Sequence, residues 1–240
     1  MAESFQVQLQ GAGHVTALNY SPADGGSSRA TLILGHGAGA GQTSSFMVRA
    51  ATGLSERGIE VVTFNFPYIE QRRRVPDQAS KLEACYRAVI ASVHGRRDSR
   101  DRQLFIGGKS LGGRIASHLA AADEELSPWL SGLLCLGYPL HPPGQPGKLR
   151  AAHLGQIKVP ILIVQGSRDN FGTPDELHAA FPQGAAVEIF VVEGGDHSLR
   201  VSRNAAVQDP VDAAILDRVQ QWIRTSVAES RVAPSRSPRA

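Results

Sequence analysis

Short apolar segments alternate along this chain with longer segments whose apolar residues recur at helical spacing. Phe5–Leu9 and, more loosely, His14–Tyr20 alternate apolar and polar residues, which predicts two outer strands of a sheet. The later apolar segments are short and continuous, a pattern typical of strands buried on both faces of a parallel sheet. They are Thr31–Leu34, Ile59–Phe66, a segment that starts at Gln103, Leu133–Leu136, Pro160–Gln165 and Val187–Val192.

Helices are predicted between most of these strands. The predicted helices are Ser44–Arg57, Asp77–His94, a helix after residue 110, a short one near Leu149–Leu154, one opened by the capping box Thr173-Pro-Asp-Glu176, and a last amphipathic helix capped by Asp209-Pro210. Alternation of strands and helices predicts an α/β fold with a mostly parallel sheet and helices on both faces. Catalytic and binding residues are then expected after the carboxyl ends of strands.

The length of 240 residues suits one domain, predicted over residues 1–228 and followed by a disordered Pro-, Ser- and Arg-rich tail over 229–240. An apolar content of 42% and a net charge of +3 are those of an ordinary soluble protein and imply no nucleic-acid or membrane partner.

Cys85 and Cys135 lie in apolar segments, which favours small buried hydrophobes over a disulfide or a metal site. The first residues lack the pattern of a signal peptide, so a cytoplasmic location is expected. No His, Cys or Asp cluster has metal-ligand spacing, and no cofactor or metal is expected.

The segment Gly108-Lys109-Ser110-Leu111-Gly112 matches G-x-S-x-G between a predicted strand and a predicted helix. A serine on such a sharp turn takes strained backbone angles, and glycines at 108 and 112 would prevent side chains from colliding with it. Ser110 is therefore a candidate nucleophile. A plain glycine-rich turn is the alternative interpretation of the pentapeptide alone.

A nucleophilic serine needs a base and an acid that orients the base, and in hydrolases of this build the chain order is Ser, Asp or Glu, then His. Asp169 follows the strand that ends at Gln165, and His197 follows the strand that ends at Val192. For each residue alone, a structural loop residue is the favoured interpretation, but their order and positions after strands together favour a triad. Asp196 is the rival acid, although its place next to His197 makes a turn residue the better interpretation.

The loop Gly35-His-Gly-Ala-Gly-Ala-Gly41 has two functional interpretations. It is typical of an oxyanion loop, in which the N–H of Ala38 would join that of Leu111 in binding a developing negative charge. It also satisfies G-x-G-x-x-A for dinucleotide binding, but the next strand lacks the required acid at its end.

Three other residues are candidate substrate contacts: His36, His141 and Arg74. The cluster Arg72–Arg74 follows a strand and would attract an anionic substrate, although a solvated charge run is the alternative. Lys109 and Arg114 flank the elbow and are interpreted as supports of its loops.

Over nearly its whole length the chain resembles the α/β-hydrolase superfamily. More narrowly, the chain is similar to the predicted hydrolases related to testis-expressed protein 30, which in turn resemble dienelactone hydrolases. This similarity rests on four segments: Leu34-Gly-His-Gly-Ala-Gly39, Phe64-Asn-Phe-Pro-Tyr68, Gly108-Lys-Ser-Leu-Gly-Gly-Arg114 and Leu136-Gly-Tyr-Pro-Leu-His141. The resemblance implies an eight-stranded sheet and a triad of Ser110, Asp169 and His197. Some distant relatives have lost triad residues and serve as scaffolds, which leaves a binding role open.

Few residues separate Leu140 from Leu149, where many α/β-hydrolases insert a lid. An open, lidless pocket is expected, and it favours small or accessible carboxylic esters over long-chain lipids. The expected function is thus a serine hydrolase of esterase type acting on a small molecule. A catalytically silent scaffold and an acyltransferase or peptidase with the same triad are the alternatives, and the oligomeric state is left open.

Overall fold

One sheet of eight strands organises the computed structural model, which describes residues 2–11, 13–22, 29–96, 102–122 and 124–232. The strands are β1 (Glu3–Leu9), β2 (Gly13–Tyr20), β3 (Ala30–Gly35), β4 (Glu60–Phe64), β5 (Gln103–Lys109), β6 (Leu130–Leu136), β7 (Ile161–Gly166) and β8 (Val187–Val192). Their order across the sheet is β1-β2-β4-β3-β5-β6-β7-β8. The β1–β2 and β2–β4 pairs are antiparallel, and every other neighbouring pair is parallel.

Helices cover both faces of this sheet. They are α1 (Ser45–Ser55), α2 (Pro67–Glu70), α3 (Ala79–Gly95), α4 (Leu111–Ala122), α5 (Pro174–Ala180) and α6 (Ala205–Val232), and 3₁₀ turns lie at Ser127–Trp129 and Leu154–Gln156. Apolar residues of α3 and α4 pack on one face, and those of α1 and α6 pack on the other. The predicted α/β fold with a mostly parallel sheet is confirmed.

The central strands are buried on both faces, because their successive side chains point to opposite sides of the sheet and helices cover both sides. Ile33 and Ile106 pack with α3 and α4, whereas Leu32 and Phe105 pack with α1 and α6. All six residues of β3 are buried, as the continuous apolar pattern predicted. Cys85 and Cys135 are buried free thiols, and burial raises the pKa of both.

Two helix predictions were wrong in detail. The segment near residue 150 forms only the 3₁₀ turn at Leu154–Gln156, because its Pro- and Gly-rich lead supplies no apolar helical face. The last helix begins at Ala205 and contains Pro210 in its interior. Asn204 starts this helix, since its Oδ1 accepts the N–H of Ala206 at 3.0 Å and its carbonyl accepts the N–H groups of residues 207 and 208.

The C-terminal boundary of the domain differs from its prediction. Helix α6 runs through Val232, beyond the predicted start of the tail at residue 229, and residues 233–240 of that prediction lie outside the described residues.

Between β6 and β7, residues 137–160 form loops and one 3₁₀ turn and carry no lid domain. No helix in the described part of the chain is long and apolar enough to cross a membrane.

Candidate active site

The three predicted triad residues follow three strands of the sheet and meet at its carboxyl edge. Ser110 comes directly after β5, Asp169 follows β7, and His197 follows β8. The Nε2 of His197 lies 2.8 Å from the Oγ of Ser110, and its Nδ1 lies 2.8 Å from the Oδ2 of Asp169. The side chains thus form one continuous hydrogen-bonded chain from carboxylate to hydroxyl.

The turn that carries Ser110 is strained, as the pentapeptide predicted. Its φ of +49° lies in the left-handed region, which is rare for a residue with a side chain. A Cβ at Gly108 or Gly112 would lie 2.2 or 2.1 Å from the carbonyl oxygen of Gly35. The glycines are therefore required by the close approach of β3 to the elbow, and not by a collision with the serine itself.

Asp169 is held by two donors besides the histidine. It is 1% exposed, and its Oδ1 accepts the backbone N–H of Phe171 at 2.8 Å. The buried amide of Gln165 donates from Nε2 to Oδ2 at 2.9 Å. Both carboxylate oxygens thus face donors, which fixes the orientation of the group. The sequence analysis missed Gln165, whose position inside an apolar strand was the available signal.

His197 is supported on its ring face and on its backbone. The ring of Phe171 stacks on its imidazole at a centroid distance of 4.1 Å. The Nζ of Lys109, a half-buried residue, donates to the backbone carbonyl of His197. Burial lowers the pKa of Lys109 to about 8, and the charges of Asp169 and Asp196 oppose that shift. Lys109 thus links the elbow to the histidine loop, as its interpretation as a loop support anticipated.

A cavity of about 670 Å³ opens in front of Ser110 and His197. Ala38 and Leu111, the predicted oxyanion donors, both line it. Leu111 is the first residue of α4, so its N–H has no acceptor within the helix. Helix α1 begins only at Ser45, well after the glycine loop, which disfavours the dinucleotide interpretation because that motif opens a helix directly.

His36 is a structural residue, which corrects its predicted contact with substrate. It is completely buried: its Nδ1 donates to the carbonyl of Gly37 at 2.7 Å, and its Nε2 accepts the N–H of Phe66 at 3.0 Å. Burial lowers its pKa to about 4. A neutral His36 therefore joins the glycine loop to the segment after β4.

We expect His36 to make the fold sensitive to acid. The pKa rises from about 4 in the folded protein to 6.5 in the unfolded chain, so below pH 6.5 the unfolded chain binds a proton that the folded protein does not. Stability is complete above pH 6.5 and falls by about 3 kcal/mol as the pH drops to 4. Urea unfolding of the wild type and of His36→Asn at pH 7.5, 5.5 and 4.5 measures this loss. The free energy of unfolding should fall more steeply with decreasing pH in the wild type than in the variant. An equal pH dependence in the two proteins would contradict the assignment.

Two further predicted substrate contacts are also corrected. His141 is 5% exposed and its Nδ1 donates to the carbonyl of Pro142 at 2.8 Å, because the loop after β6 folds over it. Arg74 is exposed and lies outside the cavity lining. The cavity is lined instead by Arg114, which the sequence analysis interpreted as a loop support, and by Arg150, which it did not single out.

No group of three or more His, Cys, Asp or Glu side chains within the described ranges is arranged to hold a metal ion. Chemically, the hydrogen-bonded chain at Ser110 can support nucleophilic acyl transfer, since it pairs a hydroxyl with a base and the base with a carboxylate.

Comparison with known proteins identifies the family of the chain. A family model for the alpha/beta hydrolase domain matches residues 28–224. An alpha-beta serine hydrolase homologue from Coxiella burnetii superposes with a TM-score of 0.69 at 21% identity, over 93% of this chain and 96% of that one. XC6422 from Xanthomonas campestris, described as an a/b serine hydrolase without lid, gives 0.69 at 17% identity over 98% and 96%. Est1E from Butyrivibrio proteoclasticus gives 0.67 at 14% identity over 90% and 98%. These likenesses concern the fold, and the matched domain spans most of the sequence: the chain belongs to the alpha/beta hydrolase family.

Proposed function

We propose that the protein is a serine hydrolase that cleaves small or accessible carboxylic esters. The observation that carries the proposal is the hydrogen-bonded chain from Asp169 through His197 to Ser110 at the edge of an open cavity. The narrower similarity to hydrolases related to testis-expressed protein 30 agrees with it. Ferulic acid bound to Est1E is an example of a small ligand in a protein of similar fold.

The reaction proceeds in two acyl transfers. The Oγ of Ser110 bonds to the ester carbonyl carbon while its proton passes to the Nε2 of His197. The N–H groups of Leu111 and Ala38 bind the oxyanion, and each such donor is typically worth about 10²–10³ in rate. The C–O bond to the alcohol breaks as His197 returns the proton to the leaving oxygen. Water then repeats the sequence on the acyl-enzyme, with His197 as base.

The absence of a lid over the described residues 137–160 favours accessible esters, since the cavity opens directly beside the nucleophile. Asp169 keeps the Nδ1–H tautomer of His197, so Nε2 is free to accept the serine proton.

Labelling with a fluorophosphonate probe tests the proposal. The probe is expected to modify the wild-type protein at Ser110 alone, because His197 activates only that hydroxyl. Ser44, Ser45 and Ser198 line the same cavity, so mapping of the modified peptide discriminates an activated serine from an accessible one. A folded protein that takes up no probe, or takes it up at another serine, would refute the proposal and favour a scaffold.

A further inference from the structure

The cavity beside Ser110 carries an excess of positive charge. Five basic side chains line it against two carboxylates; they are Arg49, Lys109, Arg114, Arg150 and Arg200, with Asp77 and Asp212. Both carboxylates already have cationic partners. Asp77 bonds with Arg73 at 2.7 Å and with Lys81 at 3.1 Å, and Asp212 lies 3.5 Å from Arg49.

Two of these cations lie on elements next to the nucleophile: Arg114 is in helix α4, and Arg150 is in the loop after β6. Arg114 lies one helical turn after the nucleophile, with its N–H bonded to the carbonyl of Ser110 at 3.0 Å. The backbone of Arg150 is fixed at both groups, because its N–H donates to Leu140 at 2.7 Å and its carbonyl accepts the hydroxyl of Tyr138 at 2.9 Å. Both arginines thus line the cavity from backbone positions that hydrogen bonds hold in place.

Neither guanidinium has a carboxylate partner within the described part of the chain. The Nε of Arg114 is buried and makes no hydrogen bond there. Burial lowers the pKa of Arg114, and the charge of Arg150 lowers it further. The carboxylate of Glu83 opposes these effects, but its Oε1 already bonds with His118 at 2.7 Å. Because the Nε has almost no accessible surface, a ligand in the cavity would meet the Nη1 and Nη2 groups of Arg114, which are not among the closed-off atoms. A guanidinium that lines a cavity without a carboxylate partner is suited to bind an anionic group of a ligand.

We propose that Arg114 and Arg150 bind a carboxylate of the substrate, so that the preferred ester carries a free carboxylate besides its ester carbonyl. This inference rests on the proposed function and specifies its substrate class. The guanidinium group offers a planar fork of donors that matches a carboxylate. Four residues of helix rise, about 6 Å, separate the backbone of Ser110 from that of Arg114, a distance that a small molecule can span.

Two matched pairs of esters test the subsite on either side of the scissile bond. Mono(4-nitrophenyl) adipate and 4-nitrophenyl heptanoate differ at the end of the acyl chain, and 4-acetoxybenzoate and its methyl ester differ in the leaving group. For at least one pair, we expect the anionic member to have a kcat/KM about 10- to 100-fold above that of the neutral one. In Arg114→Met and Arg150→Met this ratio falls towards one, and Arg114→Lys keeps part of it. Arg49→Met is the matched control, because that cavity cation already faces Asp212, and it should change the ratio far less.

Binding of free adipate, measured by calorimetry on the wild type and Arg114→Met, tests the subsite without turnover. Adipate should bind the wild type and lose most of its affinity in the variant. Adipate binding without ester cleavage would refute the proposed function but keep the subsite. Ester cleavage with no anionic preference in either pair would refute the subsite alone. Inhibition by inorganic phosphate without such a preference would also refute it, since it indicates a general anion effect.

Discussion

Replacement of Ser110 by alanine is expected to lower kcat/KM for 4-nitrophenyl acetate by about 10⁴-fold or more. Without the hydroxyl, His197 has no nucleophile to activate except water, and no acyl-enzyme can form. The oxyanion donors remain, so a small residual rate over water is expected to persist. Steady-state hydrolysis, with the wild type purified in parallel, measures the loss.

Ser198→Ala is the matched control for this variant. Ser198 lines the same cavity and is next to His197 in the chain, but no hydrogen bond joins its hydroxyl to the imidazole among the described contacts. We expect its activity to stay within about threefold of the wild type, because the hydroxyl of the exposed Ser198 makes no described bond to the triad and its loss leaves the proton path from Ser110 to Asp169 unchanged. Ser110→Ala should unfold near the wild-type urea midpoint, because a Cβ is already accommodated at the strained turn. Retention of a tenth or more of the wild-type activity would contradict the role of Ser110.

The chain order of the site could be predicted because parallel strands deliver their carboxyl ends to one edge. Ser110, Asp169 and His197 each follow a strand that the apolar pattern identified, and the structure brings the three together. The elbow glycines were also recognised, but their steric reason was not. Sequence spacing shows only neighbours along the chain, whereas the obstructing group is the carbonyl of Gly35 on an adjacent strand.

The cavity wall could not be predicted in the same way. His36 and His141 follow strands just as the triad residues do, yet both turn into the protein and bond to backbone carbonyls next to them. Whether a loop side chain points inwards depends on the path of the loop, which no periodic pattern encodes. Arg150 lies in an irregular segment of 24 residues, 137–160, and reaches the cavity only because that segment returns over α4.

Helix α6 shows how a local signal misplaced a boundary. Proline is common at the first helical position, so Asp209-Pro210 predicted a start there. The helix begins at Ala205 instead, where Asn204 supplies the cap. Pro210 removes a single backbone donor near the exposed beginning of the helix, where water can satisfy the carbonyl it leaves free.

Asp169→Asn is expected to lower kcat/KM by about 10⁴-fold while the fold is kept. In the wild type, Oδ1 accepts from Phe171, and Oδ2 accepts from both Gln165 and His197. An asparagine has only one oxygen, so its NH₂ group must face a donor in either orientation. If the NH₂ group faces His197, it forces the proton of the imidazole onto Nε2, the atom that must accept the proton of Ser110.

Asp196→Asn is the matched control, because it changes the rival carboxylate next to His197. The Oδ1 of Asp196 accepts the N–H groups of Ser198 and Arg200, at 2.8 and 3.0 Å, and an asparagine oxygen can accept both. This variant should lose less than about tenfold in kcat/KM, since local turn contacts of this kind are retained by the amide. Fluorophosphonate labelling separates the two effects further, because Asp169→Asn should slow labelling of Ser110 whereas Asp196→Asn should not. If Asp196→Asn were the more damaging change, Asp196 would be the orienting acid and the arrangement around Asp169 would serve the loop alone.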